Sequence, residues 1–564
     1  MFSEELSRID AAITEQKEKK CVLRDLEFFM LDNSIRESTV GQLRGHTVEN
    51  KMKIYEEVKK CGFKHIVVAA FSHMTRVDDV FVKQLMDQGE DPDTMYAFSE
   101  VTESVKDGVP DIETISVALK KMKDLNLRNP ILEIDLVDKN VDWTDKFTVD
   151  KLCQLLLRRI NWTYENLSRD ARIFVNFRDF PFAMKTAPDR VLTVAHFLAN
   201  LPAETRPFGL IHEEPSGDFL PEEIGIWTAS VRRVMNSNGW QSGKLLVHVH
   251  KKWGLAETVQ LECLCNGADG VWASLCEEGA AMGHACSTVT IMNLVRMGNK
   301  HVVENYNCAY LRTAAINVTE ITTGSPPHPK QVVYGERSLD LSFDLGGIAG
   351  GRVDQGDFDM ATFFGVQSPK RISTLASISM IRDRLIDLFG NNPQFTEEIA
   401  LEMHKVMIED LTENRKEEYM SSVGIAILFD RAGGKLTAEM SDIIEKMELN
   451  SLHAKRLVDE VRVIWDTWDL QDEVQGDDAL QFDSFYNGFM SPYFGCFRCE
   501  DTRKGLQAID MNTDNLVEWK EFLVYLKWAL NEYPEIADTN ELLSTAFRRG
   551  IIPAMRDEIL KSFS

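Results

Sequence analysis

The chain has 564 residues and a formal net charge of −26, from 63 basic and 89 acidic side chains. This excess of negative charge argues against nucleic acid and membrane surfaces as partners, because both are themselves anionic. Hydrophobic residues make up 44% of the sequence and charged residues 27%, as in ordinary globular proteins. Wholesale disorder and fibrous repeats are therefore excluded, and the length predicts more than one domain.

The N-terminal residues 1–21 are polar and lack the apolar core of a signal peptide. Nowhere do the roughly 18 uncharged apolar residues of a membrane span run together. The 10 cysteines are scattered, apart from Cys263/Cys265 and Cys496/Cys499, and do not suggest a secreted disulfide framework. We expect a soluble, cytoplasmic protein in which residues 1–21 lead into the first domain.

Short β-rich runs recur through the first half of the chain. They are LEFFML (26–31), HIVVAAF (65–71), MYAF (95–98), ILEIDLV (131–137), RIFVNF (172–177), FGLIHE (208–213), KLLVHVH (244–250) and DGVWASL (269–275). Longer segments with apolar residues at helical spacing separate them. This alternation predicts a parallel sheet whose strands are covered by helices.

Eight such strand–helix units within residues 22–298 predict a (β/α)8 TIM barrel. The competing architecture is an open doubly wound sheet, which rarely has eight units. A GxGxxG turn after the first strand would support that alternative, and the sequence has none there. We therefore favour the barrel.

The ends of the predicted strands carry most of the polar residues of interest, and in a barrel these ends converge on one rim. The first strand runs into Asp32–Glu37, the seventh ends in His248-Val249-His250, and the eighth leads to Ser274–His284. Two histidines at positions i and i+2 of a strand point the same way, so they can share a cation with a carboxylate such as Glu37. The alternative is that the pair only packs or faces solvent.

These motifs resemble those of the barrel metallolyases, which include isopropylmalate and homocitrate synthases, hydroxymethylglutaryl-CoA lyase and 4-hydroxy-2-oxovalerate aldolase. The family's D-x-T-L-R-[DE] is similar to Asp32–Glu37, and its H-x-H-x-x-x-G-L-A is similar to His248–Ala256. The aldolase S-L-x(3)-G-A-x-x-G-N pattern is met from Ser274 to Gly283, with His284 in place of Asn. The resemblance covers about residues 24–350 and implies a pyruvate carboxyltransferase-like TIM barrel.

The resemblance implies a role for each matching residue. Glu37, His248 and His250 would bind a divalent transition metal or Mg²⁺, and His284 would be a further ligand. Arg36 would stabilise the enolate that forms when the metal polarises a 2-oxo acid. Glu214, on the sixth strand, best matches the family's acidic residue there and is a candidate acid or base; alternatively it is a solvated carboxylate.

The sequence also departs from the family pattern. Lys251 and Lys252 replace the usual Asn-Asp after the histidine pair, and Arg178-Asp179 stands where the synthases have a carboxylate pair. These differences argue against Claisen synthase activity. The added cations either hold a multiply anionic substrate or mark a barrel whose catalysis has been lost.

From residue 353 a connector is expected as far as residue 395, followed by an all-α domain at 396–564 that contains an EF-hand loop. The loop is DMNTDNLVEWKE, with ligand positions 1, 3, 5, 7, 9 and 12 at Asp510, Asn512, Asp514, the Leu516 carbonyl, Glu518 and Glu521. Asn515 replaces the usual glycine at position 6, and Asn is the non-glycine residue that best tolerates a left-handed backbone there. The pattern predicts Ca²⁺ binding; the alternative is a metal-free acidic loop.

EF-hands usually work in pairs, and a degraded loop starts at Glu473, 37 residues before Asp510. It has Leu480 at the hydrophobic position 8, but Ser484 replaces the carboxylate at position 12. A weaker echo occurs at 429–436. Together these loops suggest a calmodulin-like array with one competent site, while the motif Cys496-x-x-Cys499 has no second CxxC with which to complete a zinc site.

Two classes of function compete for the whole chain. The first is a metal-dependent carbon–carbon lyase, aldolase-like, that acts on a small anionic 2-oxo acid and is regulated by Ca²⁺. The second is a catalytically silent barrel that serves as a Ca²⁺-responsive binding protein, and an acyl-CoA-dependent Claisen synthase is a further alternative. The motifs at Arg36-Glu37 and at the histidine pair favour the enzyme, with a homo-oligomer and a Ca²⁺-dependent protein partner left open. Residues 299–352 form a post-barrel segment.

Overall fold

The computed structural model describes most of the chain. The described residues are 2–36, 46–74, 76–144, 146–277, 283–324, 326–328, 330–339, 358, 360–366, 372–412, 418–419, 422–469, 478–491, 503, 506–507, 509–510, 514–532 and 539–548. The chain divides into two compact units, Met1–Ser338 with Phe363–Gly365, and Leu339–Thr362 with Val366–Ser564. None of the described helices has the length and apolar character that a membrane span requires.

The first unit contains a closed barrel of parallel strands, each pairing with its neighbours in chain order. The strands are β1 Phe29–Asp32, β2 Ile66–Ala70, β3 Met95–Glu100, β4 Asn129–Ile134, β5 Phe174–Phe177, β6 Gly209–Glu214, β7 Lys244–Val249 and β8 Gly270–Ala273. Strand β8 returns to β1, pairing Trp272 with Leu31. The barrel prediction is confirmed, and every strand overlaps the run from which it was predicted.

Helices surround the barrel. They are α1 Ser3–Asp25, α2 Val48–Lys60, α3 Val77–Asp87, α4 Val117–Asp124, α5 Val149–Asn166, α6 Phe180–Thr186, α7 Pro188–Ala199, α8 Pro221–Ser237, α9 Ala256–Cys265, α10 Ser287–Arg296, α11 Lys300–Asn305 and α12 Leu311–Thr323. Side-chain oxygens cap several of them, such as Thr47 at the start of α2 and Thr148 at the start of α5. A short hairpin joins Val105–Lys106 to Val109–Pro110, and 3₁₀ turns lie at Pro92–Thr94, Cys308–Tyr310 and Glu336–Leu339.

Large apolar side chains fill the inside of the barrel, as expected for a closed parallel sheet. The layer consists of Leu31, Val67, Tyr96, Phe98, Ile131, Phe174, Ile211, Leu246 and Trp272, which come from all eight strands. Side chains alternate between the two faces of a strand, so residues two positions further along point inward again, nearer the carboxyl end. The apolar layer therefore forms the floor beneath the barrel mouth.

The second unit is mainly helical. Its helices are α14 Ile378–Phe389, α15 Glu397–Thr412, α16 Ser422–Arg431, α17 Ala438–Asp469, α18 Phe482–Ser484 with a π-helical turn Phe485–Phe489, α19 Trp519–Glu532 and α20 Thr539–Arg548; the short α13 is Met360–Phe363. Two antiparallel strand pairs accompany them: β9 Ile372–Ser373 with β10 Glu418–Tyr419, and β11 Ala479–Gln481 with β12 Leu516–Glu518. Separate apolar cores lie beside the two pairs.

Candidate functional site

A layer of polar side chains lies directly above the apolar floor of the barrel. Its members each follow a floor residue by two positions and are Asn33, Glu133, Asn176, Glu213, His248 and Ser274. All are less than 10% exposed except Glu133, whose side chain is 13% exposed. Burying a polar group costs free energy unless the group forms a hydrogen bond or binds a ligand, so this layer is a candidate binding site.

A chain of aromatic contacts links Arg36 to the histidine pair. The Arg36 guanidinium lies 4.7 Å from the ring centroid of Phe98, and Phe98 packs against Trp272 at 5.2 Å. Trp272 in turn stacks on His248 with centroids 4.0 Å apart. Contacts with the floor residues Phe98 and Trp272 thus hold Arg36 and His248 in the same site. Both residues were predicted to lie at strand ends.

Three imidazoles and a carboxylate come together at the mouth. The ring centroids of His248 and His250 lie 5.0 Å apart, and His284 lies 5.7 Å from each of them. Glu213 pairs in register with His248 across β6 and β7, and its Oε1 lies 3.5 Å from Nε2 of His250. One ligand atom from each of Glu213, His248 and His250 lies within 4.8 Å of the others, which is close enough to hold one metal ion.

The hydrogen bonding of His248 identifies the nitrogen that is free to bind a ligand. Its Nδ1 lies 2.9 Å from the carbonyl oxygen of Trp272, so Nδ1 carries the proton that it donates. Among the residues that the structure describes, none bonds to Nε2, although that atom is fully buried. Burial, followed by the nearby His250 and His284, holds the pKa of His248 well below its usual range. The imidazole is therefore neutral, with its Nε2 lone pair available.

Glu133 and Glu213 form a buried carboxyl pair bridged by an amide. Nδ2 of Asn176 donates to Oε2 of Glu213 at 3.0 Å and lies 3.4 Å from Oε1 of Glu133. Burial, and next the negative charge of Glu213, raise the pKa of Glu133 to about 8. Glu133 is thus protonated at neutral pH.

The remaining sequence-predicted residues have different surroundings. Glu37 lies outside the described residues. The carboxylate of Glu214 accepts hydrogen bonds from the backbone N–H of Ser216 at 3.1 Å and from its hydroxyl at 2.6 Å, and burial raises the pKa of Glu214. Arg36 is largely buried, as a residue facing the mouth should be.

The cations that distinguish this chain from the metallolyase pattern are already in ion pairs. Arg178 binds Asp135 at 2.5 Å and Glu100 at 2.6 Å. Lys251 is paired with Glu257 at 3.0 Å and also with Glu277, and Lys252 lies 3.5 Å from Asp218. A multiply anionic substrate would have to compete with these carboxylates for the three cations.

Sequence reasoning missed Glu213 and chose its neighbour Glu214. The signal was present in the alternation of β6, because Ile211 is a floor residue and Glu213 therefore faces inward two positions later. Matching the strand to a family motif identified the adjacent Glu214 as a candidate acid or base. That match took no account of which side chains of the strand face inward. The structure thus adds Glu213 to the candidate ligands.

In the predicted calcium loop of the second unit, acidic side chains accept hydrogen bonds from the loop's own backbone. The Asp510 carboxylate accepts the backbone N–H groups of Asp514 at 3.2 Å and Asn515 at 2.9 Å. Oε2 of Glu521 accepts the N–H of Glu518 at 2.9 Å, and Leu516 lies in β12. Asp510 and Glu521 are 9% and 2% exposed. Asn512 lies outside the described residues.

The two predicted loops are joined through β11 and β12. Leu480 pairs with Val517, which places position 8 of one loop opposite position 8 of the other. Both Asp478 and Asn515, at position 6 of their loops, have a left-handed backbone with φ of 68°. The predicted left-handed turn at Asn515 is therefore present, together with a matching turn in the loop that lacks the position-12 carboxylate.

The weaker sequence echo at 429–436 has a different structure. It covers the end of α16 and the turn to α17, and the residues described there form no strand. The strand pair in this half of the unit is instead formed by β9 and β10, where Ile372 pairs with Tyr419. The unit thus has two strand-linked halves, but the first pair lies outside the predicted echo. The Cys496 and Cys499 motif lies outside the described residues.

Comparisons with known proteins give only remote structural likenesses. No protein-family model and no curated protein sequence matches the chain. The chain is similar to HMG-CoA lyase from Bacillus subtilis (14% identity, TM-score 0.41, covering 54% of this chain and 96% of the lyase). It is also similar to an HMG-CoA lyase from Acinetobacter baumannii in complex with coenzyme A and 3-methylmalate (13%, 0.40, 54% and 94%). A third likeness is to the carboxyl transferase domain of Rhizobium etli pyruvate carboxylase with pyruvate and biocytin (10%, 0.40, 69% and 62%).

Proposed function

We propose that the barrel binds a divalent metal ion and is an aldolase-like enzyme that cleaves a carbon–carbon bond in a 2-oxo acid. The observation that carries the proposal is the inward-facing group of Glu213, His248 and His250, whose ligand atoms lie within 4.8 Å of one another. The group lies at the carboxyl ends of the strands, where TIM barrels carry their chemistry.

The residues present fit a metal ion. Nε2 of His248 is buried, carries a lone pair and has no partner among the described residues. The hydrogen bond from Nδ1–H to the Trp272 carbonyl fixes the orientation of the ring, as such bonds do for metal-binding histidines. Nitrogen and oxygen ligands together suit Mn²⁺, Fe²⁺, Zn²⁺ or Mg²⁺. We propose His284 and Glu37 as further ligands, on the resemblance of their motifs to the metallolyase pattern.

The chain's own groups can support the proposed cleavage. When bound, the ion would supply Lewis-acid polarisation of the 2-oxo group. Arg36 would hold the substrate's negative oxygen, because its guanidinium is buried and fixed against Phe98. Glu133 carries a proton at neutral pH and Glu214 also has a raised pKa, so either carboxyl can act as the proton donor.

The substrate should carry few negative charges beyond its 2-oxo acid group. The mouth contains Glu213, and the nearby Arg178, Lys251 and Lys252 are engaged in ion pairs. This distribution favours an aldolase-type lyase over an acyl-CoA-dependent synthase. The same ion pairs favour, as the second candidate, a catalytically silent barrel that acts as a binding protein.

We also propose that Asp510–Glu521 is an EF-hand loop that binds Ca²⁺ and regulates the chain. Support comes from the pairing of Leu480 with Val517 and from the left-handed turns at position 6 of both loops. The ligands would be Asp510, Asn512, Asp514, the Leu516 carbonyl, Glu518 and Glu521. A Ca²⁺-dependent protein partner is compatible with this arrangement.

Metal analysis of the purified full-length protein, followed by a screen for release of pyruvate from 2-oxo acids, tests the barrel proposal. We expect one divalent ion in addition to Ca²⁺, and its loss in His248→Ala/His250→Ala together with activity. Retention of the ion by the double variant would overturn the metal site. A metal-bound protein that cleaves none of the acids would instead favour the silent barrel.

A further inference from the structure

The first helix of the chain, α1, extends beyond the barrel. It has 23 residues, about 35 Å of helix at 1.5 Å per residue, and residues 4–18 are exposed on every side. Its C-terminal part is attached to the barrel unit: Nζ of Lys19 binds Glu262 at 2.9 Å, and Leu23 is buried. Among the residues that the structure describes, none packs against the N-terminal part in a way that would explain its helical state.

Four large apolar side chains are exposed on this projecting part. Phe2, Leu6, Ile9 and Ile13 are 70%, 59%, 45% and 46% exposed. Their spacing of four, three and four residues is that of the d and a positions of a heptad, so they form one stripe along the helix. We call these four residues the α1 seam. None of the residues that the structure describes covers it.

An isolated helix of this length is marginal in water, because its backbone is fixed without compensating tertiary contacts. A second helix packed along the α1 seam would supply them. The α1 seam ends at Ile13, because the next two core positions of the heptad are occupied by Gln16 and Lys20. A partner should therefore pack along residues 2–13 and not along the part of α1 that is attached to the barrel.

We propose that the α1 seam pairs with the same seam of a second copy of this chain in an antiparallel two-helix coiled coil. In this arrangement Phe2 packs against Ile13 of the other copy, and Leu6 against Ile9. All the layers are then apolar, and neither Gln16 nor Lys20 enters the core. The association is a property of the barrel unit and does not depend on its proposed activity.

The flanking charges select the antiparallel direction. In a parallel pair, Glu5 at position g would lie beside Asp10 at position e of the other helix, a like-charge contact made twice. Parallel pairing in register would also bring Lys20 against Lys20 in the core. In the antiparallel pair Glu5 lies beside Ala12 and Asp10 beside Ser3, so no like charges meet.

The size of the seam sets the strength of the association. Four side chains per copy make a patch well below the interfaces of permanent dimers, which bury more than about 2,000 Å². The pairing should therefore be weak and depend on protein concentration.

Sedimentation equilibrium of the full-length protein over a range of micromolar to millimolar concentrations tests the proposal. Wild-type protein should shift from monomer to dimer as concentration rises, and Ile9→Asp should remain monomeric because it places a charge in the centre of the seam. Val22→Asp is the matched control, since Val22 is 44% exposed on the same helix but lies off the seam. It should dimerise like wild type.

Glu5→Lys tests the direction of pairing. It should leave the dimer unchanged in the antiparallel arrangement, where Glu5 faces Ala12, but strengthen a parallel dimer by pairing with Asp10. A wild-type protein that stays monomeric at every concentration, or an Ile9→Asp variant that still dimerises, would overturn the proposal. A marked gain in affinity for Glu5→Lys would overturn the antiparallel direction.

Discussion

Replacing Glu213 by glutamine should weaken metal binding in the barrel more than the same change at Glu214. Glu213 is 8% exposed, and its Oε1 lies 3.5 Å from Nε2 of His250, so the change removes a negative charge from the proposed ligand group while keeping the shape. Loss of a residue that only orients a ligand typically costs about 10–100-fold in affinity. We therefore expect loss of a direct ligand to cost about 100-fold or more, or about 2.8 kcal/mol.

The assay is competition for Zn²⁺ or Mn²⁺ against a chelator of known affinity, with circular dichroism to confirm that each variant is folded. Glu214→Gln is the matched control, because Glu214 is also fully buried but its carboxylate bonds to Ser216. Equal affinities in wild type and Glu213→Gln would refute the reasoning. A larger loss in Glu214→Gln than in Glu213→Gln would transfer the ligand role to Glu214, which the sequence analysis made a candidate acid or base.

Three further predictions concern catalysis, calcium and stability. Arg36→Lys should lower turnover of a 2-oxo acid at least about tenfold without changing metal content, because a lysine cannot reproduce the planar guanidinium; equal turnover would exclude that role. Glu521→Gln should abolish the single Ca²⁺ site seen by calorimetry, whereas Asp477→Asn in the degraded loop should have little effect; two equal sites in wild type would contradict this. Burial raises the pKa of Asp32 from 3.8 to about 7. The folded state therefore retains a proton that the unfolded state loses, and the free energy of unfolding should fall as pH rises from about 4 to 7. Asp32→Asn should reduce that slope in pH-dependent denaturation, and an unchanged slope would exclude Asp32 as its source.

The barrel could be predicted because its strands are marked locally. Each strand is a short run of buried residues between helices, and parallel strands covered on both faces have no polar side that could obscure the pattern. The position of the histidine pair at the carboxyl end of β7 could be predicted for the same reason. His248 and His250 therefore lie together at the mouth as expected.

The electrostatic state of the site was less predictable. Arg178 carries a charge that sequence alone suggests is available, but Asp135 and Glu100 neutralise it across separate strand ends. Such pairing depends on the register between neighbouring strands, which no pattern within a single strand encodes. The pair of β9 and β10 was missed because two-residue strands leave too little alternation to recognise.

The hydrogen bonds between the two loops that contain β11 and β12 bear on how many ions the pair of loops needs. The N–H of Phe482, the first residue of α18, donates to the carbonyl of Asn515 at 2.9 Å, and the N–H of Trp519, the first residue of α19, donates to the carbonyl of Asp478 at 2.9 Å. Each helix therefore begins at a residue held by the opposite loop. An ion that orders the loop at Asn515 would fix the starts of both helices, so one ion per chain is sufficient for a two-helix response. If the loop at Asn515 binds Ca²⁺ as proposed, the missing position-12 carboxylate of the other loop would lower the ion count without uncoupling its helix.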